Sequence, residues 1–155
     1  YGLNIALNYK GFDLSMFWQG VYDKDVYNNQ KFQTDFWSIT DAGSNKGNRL
    51  LGAWNTNNTG STIPALTTNN TADEGRSSTY FVENGSYLKL RNLQLGYNLP
   101  ASFLSKFKMS SARVYLSGQN LLTIKSKSLT CSDPENPDWN YPLATSISFG
   151  LQLGF

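Results

Sequence analysis

The sequence predicts an all-β fold: antiparallel transmembrane β-barrel strands joined alternately by short turns and long polar loops. Three observations predict it. Residues 146–155, Ser-Ile-Ser-Phe-Gly-Leu-Gln-Leu-Gly-Phe, carry an apolar residue at every second position. Strand side chains alternate between faces, so this segment has one greasy face and one polar face. Aromatic residues make up 14% of the chain and charged residues only 15%, a balance that argues against disorder. Finally, residues 23–85 are rich in Asn, Thr, Ser and Gly and break the strand pattern. So long a connection is improbable in a compact soluble domain and ordinary in an extracellular barrel loop.

The first strand is expected over residues 2–9, where Leu3, Ile5, Leu7 and Tyr9 alternate with Asn4, Ala6 and Asn8. A tight turn at Lys10-Gly11 leads into a second strand, 12–22, forming a hairpin. There Phe12, Leu14, Met16, Trp18 and Tyr22 oppose Asp13, Ser15, Gln19 and Val21, and Phe17 falls on the polar side. Residues 23–85 read as a first outer loop, with a short helix inside 45–54 that carries Arg49, Leu50 and Leu51.

The third strand, 86–98, changes register: Leu88 and Leu90 share a face, which Leu93, Leu95 and Tyr97 continue. One extra residue at Arg91-Asn92, a β-bulge, restores the facing. Leu99-Pro100 ends the strand, and residues 101–108 read as one or two helical turns with Pro100 at their start. A fourth strand, 111–124, opens with Ala112, Val114 and Leu116, and 125–142 is a second outer loop. The fifth strand is 144–155.

With Phe155 at the periplasmic rim, the turns at 10–11 and 99–110 fall on the periplasmic side and the long loops fall outside, the asymmetry expected of such barrels. Five strands cannot close a barrel of useful size, so a longer polypeptide is expected. The chain opens in strand pattern without an initiator Met, which places any targeting segment upstream.

Composition excludes several functions. A formal net charge of +2 gives no reason to expect nucleic acid as a partner. No stretch approaches the roughly 18 apolar residues of a membrane helix. With one cysteine, Cys131, there is no internal disulfide. With no histidine, Ser-His-Asp and Cys-His nucleophile systems and His-ligated metals are ruled out. There is no glycine-rich phosphate loop. No catalytic residue, metal site or cofactor is therefore expected, and the chain reads as no enzyme.

Residues 85–100, Gly-Ser-Tyr-Leu-Lys-Leu-Arg-Asn-Leu-Gln-Leu-Gly-Tyr-Asn-Leu-Pro, closely resemble a characteristic stretch near the end of SusC/RagA-type TonB-dependent transporters. Residues 112–123, Ala-Arg-Val-Tyr-Leu-Ser-Gly-Gln-Asn-Leu-Leu-Thr, resemble the next strand of that family. Asp133-Pro134-Glu135, Tyr141-Pro142 and the final alternating segment follow in matching order, while 23–84 match no segment that can be named and look like variable loop.

The resemblance implies that the chain is about five C-terminal strands of a barrel of about 22, in a Gram-negative outer membrane. It further implies an N-terminal plug, a TonB box that couples import to TonB, and a SusD-like surface lipoprotein that caps the barrel. The imported nutrients would be oligosaccharides or, in RagA-like members, peptides. Plug and TonB box are absent from this sequence. The partners implied are thus the rest of the barrel and its plug, the lipoprotein, TonB and outer-membrane lipid.

Candidate residues follow. Trp37, Arg49, Trp54, Trp139 and Tyr141 lie in or beside the outer loops, where they stack on substrate or pack loops and interfaces, the second being the commoner role of aromatics and arginine. Lys89, Arg91, Arg113 and Gln119 would line the lumen wall, with plug carboxylates as natural partners for buried charge. Phe149, Leu151, Leu153 and Phe155 form the terminal signal read by barrel assembly, and Tyr9, Phe12, Tyr97, Phe149 and Phe155 suit a membrane-interface girdle. Gly96 and Gly118 read as packing devices. The carboxylates of 133–138 lack EF-hand spacing and the central glycine, so a proline-stiffened solvated loop is favoured over calcium. Two other readings compete: a secreted β-sandwich that binds carbohydrate or adheres, and a fragment of a carbohydrate-active enzyme. The sandwich would need its greasy face covered by a second sheet, and the enzyme a positioned acid–base pair.

Overall fold

A computed structural model of the chain describes residues 1–36, 45–66, 73, 75–138 and 140–155. In chain order the strands are β1 (Gly2–Tyr9), β2 (Phe12–Val21), β3 (Asp25–Tyr27), β4 (Val82–Asn84), β5 (Tyr87–Asn98), β6 (Ser111–Lys125) and β7 (Ser146–Gly154). Two short helices are α1 (Asn29–Asp35) and α2 (Ala101–Leu104). The chain divides into two compact units: Tyr1–Lys24 with Ser86–Ser126 and Leu143–Phe155, and Asp25–Gly85 with Lys127–Pro142.

The first unit is a five-stranded antiparallel sheet in the order β1-β2-β5-β6-β7. Lys10 and Gly11, at the β1–β2 turn, have φ of 48° and 88°. Two left-handed central residues make the type I′ hairpin whose twist matches that of its strands. Gly11 is needed twice over, since a Cβ there would also lie 3.1 Å from the Asn98 carbonyl.

Pairing skips Arg91: Trp18 faces Leu90 and Phe17 faces Asn92. On the other side Leu90 faces Leu122 and Asn92 faces Gln119, so Asn120 and Leu121 oppose the bulge. Asn120 takes up the irregularity with φ 52°. The bulge lets Leu88 and Leu90 share a face with Leu93, Leu95 and Tyr97 despite the change of parity. Element ends differ slightly from the sequence reading: Tyr22 and Phe155 lie just outside strands, and β6 runs on to Lys125.

Residues 23–85 and 125–142, expected as outer loops, carry short elements of their own. Together they contain the whole of the second unit. β3 pairs with β4, placing Asp25 opposite Asn84. Asn28 caps α1, its side-chain oxygen accepting from the Lys31 N–H at 2.9 Å. Phe36, Leu50 and Phe81 form a core with Phe32, Ile63 and Tyr80 packed around it. Val26, Leu129 and Cys131 form a second cluster. The short helix expected within 45–54 is a single 3₁₀ element, Asn48–Gly52.

Candidate functional site: the two faces of the sheet

Register sorts every strand residue onto one of two faces. Leu7, Leu14, Leu95, Leu116 and Phe149 form one unbroken row across all five strands. The flanking rows are Ile5, Met16, Leu93, Gly118 and Ile147 on one side, and Tyr9, Phe12, Tyr97, Val114 and Leu151 on the other. This face is uncovered: Leu7 is 57% exposed, Leu116 51% and Phe149 75%. Leu151, Leu153 and Phe155 are exposed with it. An apolar surface of this continuity marks an interaction site rather than the outside of a soluble monomer. A sandwich would bury these leucines, and nothing among the described residues does.

The opposite face is polar and ordered by its own contacts. Asp13 sits directly beside Gly96, and Arg113 is diagonal to it on the next strand. Arg113 spans β5 to reach Asp13, with Nε donating to Oδ1 at 3.0 Å and the second nitrogen to Oδ2. The fork passes over Gly96, where a Cβ would lie 2.5 Å from Asp13 Oδ1 and 2.6 Å from the guanidinium. Gly96 is thus the opening that lets the ion pair cross a strand. With its amide oxygen turned toward the guanidinium, Gln94 accepts from Arg113 at 2.7 Å. The Tyr115 ring lies against Gly150 on the same face, with the guanidinium carbon 5.2 Å from the ring centre.

The other lumen-wall candidates also fall on this face. Arg91 Nε donates to Gln19 Oε1 at 2.8 Å and its NH1 to Asn120 Oδ1 at 3.4 Å. Lys89 is buried, its ammonium 5.5 Å from the Tyr87 ring centre. Gln119 stands between Asn92 and Ser146. The sequence reading looked to plug carboxylates as partners for buried charge, whereas Arg113 finds its carboxylate within the sheet. Asp13 was not singled out, although it is the sole carboxylate in the five strands.

In the second unit, Tyr141 is 96% exposed and Trp54 is partly exposed. Trp37 and Trp139 lie outside the described residues. Arg49 is already engaged within the unit. Its Nε is 3.2 Å from Oδ1 of the fully buried Asp35, and its NH1 donates to Thr130 Oγ1 at 3.0 Å. A buried carboxylate needs such a partner, so Arg49 holds the unit together.

The Tyr80 hydroxyl donates to Asp35 Oδ2 at 2.9 Å. Burial, followed by that carboxylate, pushes the Tyr80 hydroxyl well above its ordinary pKa. Glu83 accepts from the Thr130 N–H and from Asn28 Nδ2, both at 2.8 Å, and lies 3.4 Å from Lys31 Nζ. Burial alone would raise its pKa, but the hydrogen bonds and Lys31 outweigh it and hold Glu83 below the usual range. Asn28, Asp35 and Glu83 carry no local sequence signal of this role.

The 133–138 segment is held by its own turn and by α1: Asp133 Oδ1 accepts from the Glu135 N–H, and Asp138 Oδ1 accepts from Asn29 Nδ2. Among the described residues no cluster of three or more metal-ligating side chains occurs.

No protein-family model matches the chain. Individual relatives do. TonB-dependent receptor P3 of Formosa agariphila is 36% identical over 125 residues, 79% of this chain and 11% of the relative. TonB-dependent receptor P26 of the same organism is 29% identical over an alignment that takes in the whole chain and 17% of the relative. Among solved structures, the RagAB peptide transporter aligns over 99% of the chain with a TM-score of 0.73 and 31% identity. The RagAB peptide importer in its closed-closed state aligns equally well, with 30% identity. The chain covers 17% of each of those structures' matched chains.

Proposed function

Because this chain belongs to the TonB-dependent receptors, as barrel strands of the SusC/RagA type, we propose that it forms a lipid-facing stretch of wall in an outer-membrane nutrient importer. The carrying observation is the row Leu7–Leu14–Leu95–Leu116–Phe149, exposed and apolar across five strands, with a hydrogen-bonded polar face behind it. Such a sheet suits two solvents at once, hydrocarbon outside and a wet lumen inside. Its relatives are receptors and transporters, and the chain is no part of an enzyme.

In this reading the end of the sheet holding the turns at 10–11 and 99–110 faces the periplasm. The long connections leave the other end, near Val21, Tyr87 and Lys125, and lie outside the cell. The whole receptor imports oligosaccharides or peptides, energised by TonB and capped by a SusD-like lipoprotein. The peptide alternative is favoured by one observation, the likeness to a peptide transporter.

Single cysteines in the full-length receptor test the wall. Positions Leu7, Leu95, Leu116 and Leu151 should react with lipophilic reagents in native membranes. Positions Asn4, Gln119 and Gln152 should react with water-soluble ones. A reversed pattern overturns the assignment. Growth of a receptor-deletion strain on peptides, compared with oligosaccharides as sole carbon source, decides the nutrient class.

A further inference from the structure

The connection between β5 and β6 holds two aromatics that the fold leaves outside its core. α2 continues into a 3₁₀ turn, Ser105–Phe107, and Lys108 closes it in the left-handed region with φ 55°. Phe103 and Phe107 are 44% and 57% exposed, yet their rings associate at 5.2 Å between centroids. They lie four residues apart, on one side of the turn.

Leu104 and Ala112 are the buried residues here. α2 contacts β6, and Ala112 belongs to the apolar face, opposite Leu153. The connector therefore lies next to the end of β6 that carries Ala112. That end already carries Tyr9, Phe12 and Tyr97, with the Phe12 and Tyr97 rings 4.5 Å apart. The charges are one-signed: Lys106 and Lys108 are exposed, and residues 98–111 contain no Asp or Glu.

We infer that residues 100–108 form an interfacial foot that binds the phospholipid headgroup layer at the periplasmic leaflet. Phe103 and Phe107 enter the boundary between headgroups and acyl chains, and Lys106 and Lys108 meet lipid phosphates. The proposal rests on the barrel reading above and extends its lipid contact from the strands to a helical turn. Exposed aromatics with cations on a short amphipathic turn are the side chains that seat in such an interface. A lysine near an anionic surface is worth roughly fivefold in binding. The occupant is anionic phospholipid, the charged lipid of the leaflet on which the short turns emerge.

The test places nitroxide labels on single cysteines in the full-length receptor, reconstituted in phosphatidylethanolamine vesicles containing phosphatidylglycerol. Cys131 is buried and serves as the measured background. Labels at Phe103, Phe107 and Leu151 should be relaxed more by oxygen than by a water-soluble nickel chelate. Labels at Ala101 and Gln152 should show the opposite. Oxygen preference at Leu151 with nickel preference at both Phe103 and Phe107 overturns the foot and leaves the barrel standing. Nickel preference at Leu151 overturns both. Replacing Lys106→Gln with Lys108→Gln should move the label at Phe107 toward water in these vesicles and leave it unmoved in neutral phosphatidylcholine. An unmoved label in both overturns the phosphate contact.

Discussion

Replacing Leu116 with Arg places a charge within the apolar row, on β6 between Leu95 and Phe149. The register leaves that side chain no polar neighbour, because Leu95 and Phe149 stand directly opposite it and Leu93, Val114 and Leu151 lie in the adjoining rows. A cation on the lipid face of a barrel costs about 2–4 kcal/mol at the bilayer midplane and about 0–1 near the interfaces. The expected loss for Leu116→Arg is therefore about 30- to 700-fold in the folding equilibrium. One residue along, Ser117 faces the polar side between Gln94 and Ser148, and Ser117→Arg should cost little. Tyr9→Arg, in the aromatic row by the hairpin turn, should fall near the lower figure. The assay is reversible urea unfolding of the full-length receptor in lipid vesicles, followed by tryptophan fluorescence. Equal costs for Leu116→Arg and Ser117→Arg would refute the two-solvent reasoning, and so would a larger cost at 117.

Three further outcomes are expected. Gly96→Ala should displace the Asp13–Arg113 fork and lower the melting temperature; in an Asp13→Ala, Arg113→Ala background the same change should lower it much less, and an equal drop would show that the fork is not what the glycine accommodates. Deleting Leu153 to Phe155 should abolish outer-membrane insertion of the full-length receptor, read by surface labelling, because it removes the end of the exposed apolar face on β7. Glu83 is held below its usual pKa of 4.5, so its contribution is complete above that value and lost as pH falls through the lower folded value; protection of the Asn28 and Thr130 amides, corrected for intrinsic exchange, should fall below about pH 4.5 in the parent, and Glu83→Gln should remove that pH step.

How much of this was legible follows from what each feature depends on. The strands were readable because a wall between two solvents writes its alternation into adjacent residues, and even the bulge at Arg91 showed as a change of parity between Leu90 and Leu93. The second unit was not readable, because its bonds join distant parts of the chain. Asn28 reaches Thr130 across 102 residues and Asn29 reaches Asp138 across 109, and no local period records either. Its apolar residues, Val26, Phe36, Leu50, Phe81 and Leu129, are too sparse and too irregularly spaced to suggest a core. For that reason Arg49 looked like a docking anchor rather than the cation of Asp35. Its loss leaves a buried carboxylate that, among the described residues, keeps the Tyr80 and Thr34 hydroxyls as hydrogen-bond donors, a cost of about 1–3 kcal/mol to the unit itself.

Lipoprotein docking is accordingly better probed through the exposed Trp54 and Tyr141. A defect in Arg49→Ala would confuse a lost contact with a loosened fold. If Trp54→Ala with Tyr141→Ala weakens lipoprotein co-purification while Glu83 and Asp35 keep their exchange protection, the second unit carries a partner surface. If recovery is unchanged and uptake falls, those aromatics meet the nutrient instead. The Asp13–Arg113 fork lies between the two kinds of legibility. Asp13 is the sole carboxylate in the strands of the five-stranded sheet and Gly96 is the sole residue of β5 without a side chain. Both facts were in the sequence, but only the register that sets Asp13 beside Gly96 and Asn98 beside Arg113 turns them into one contact.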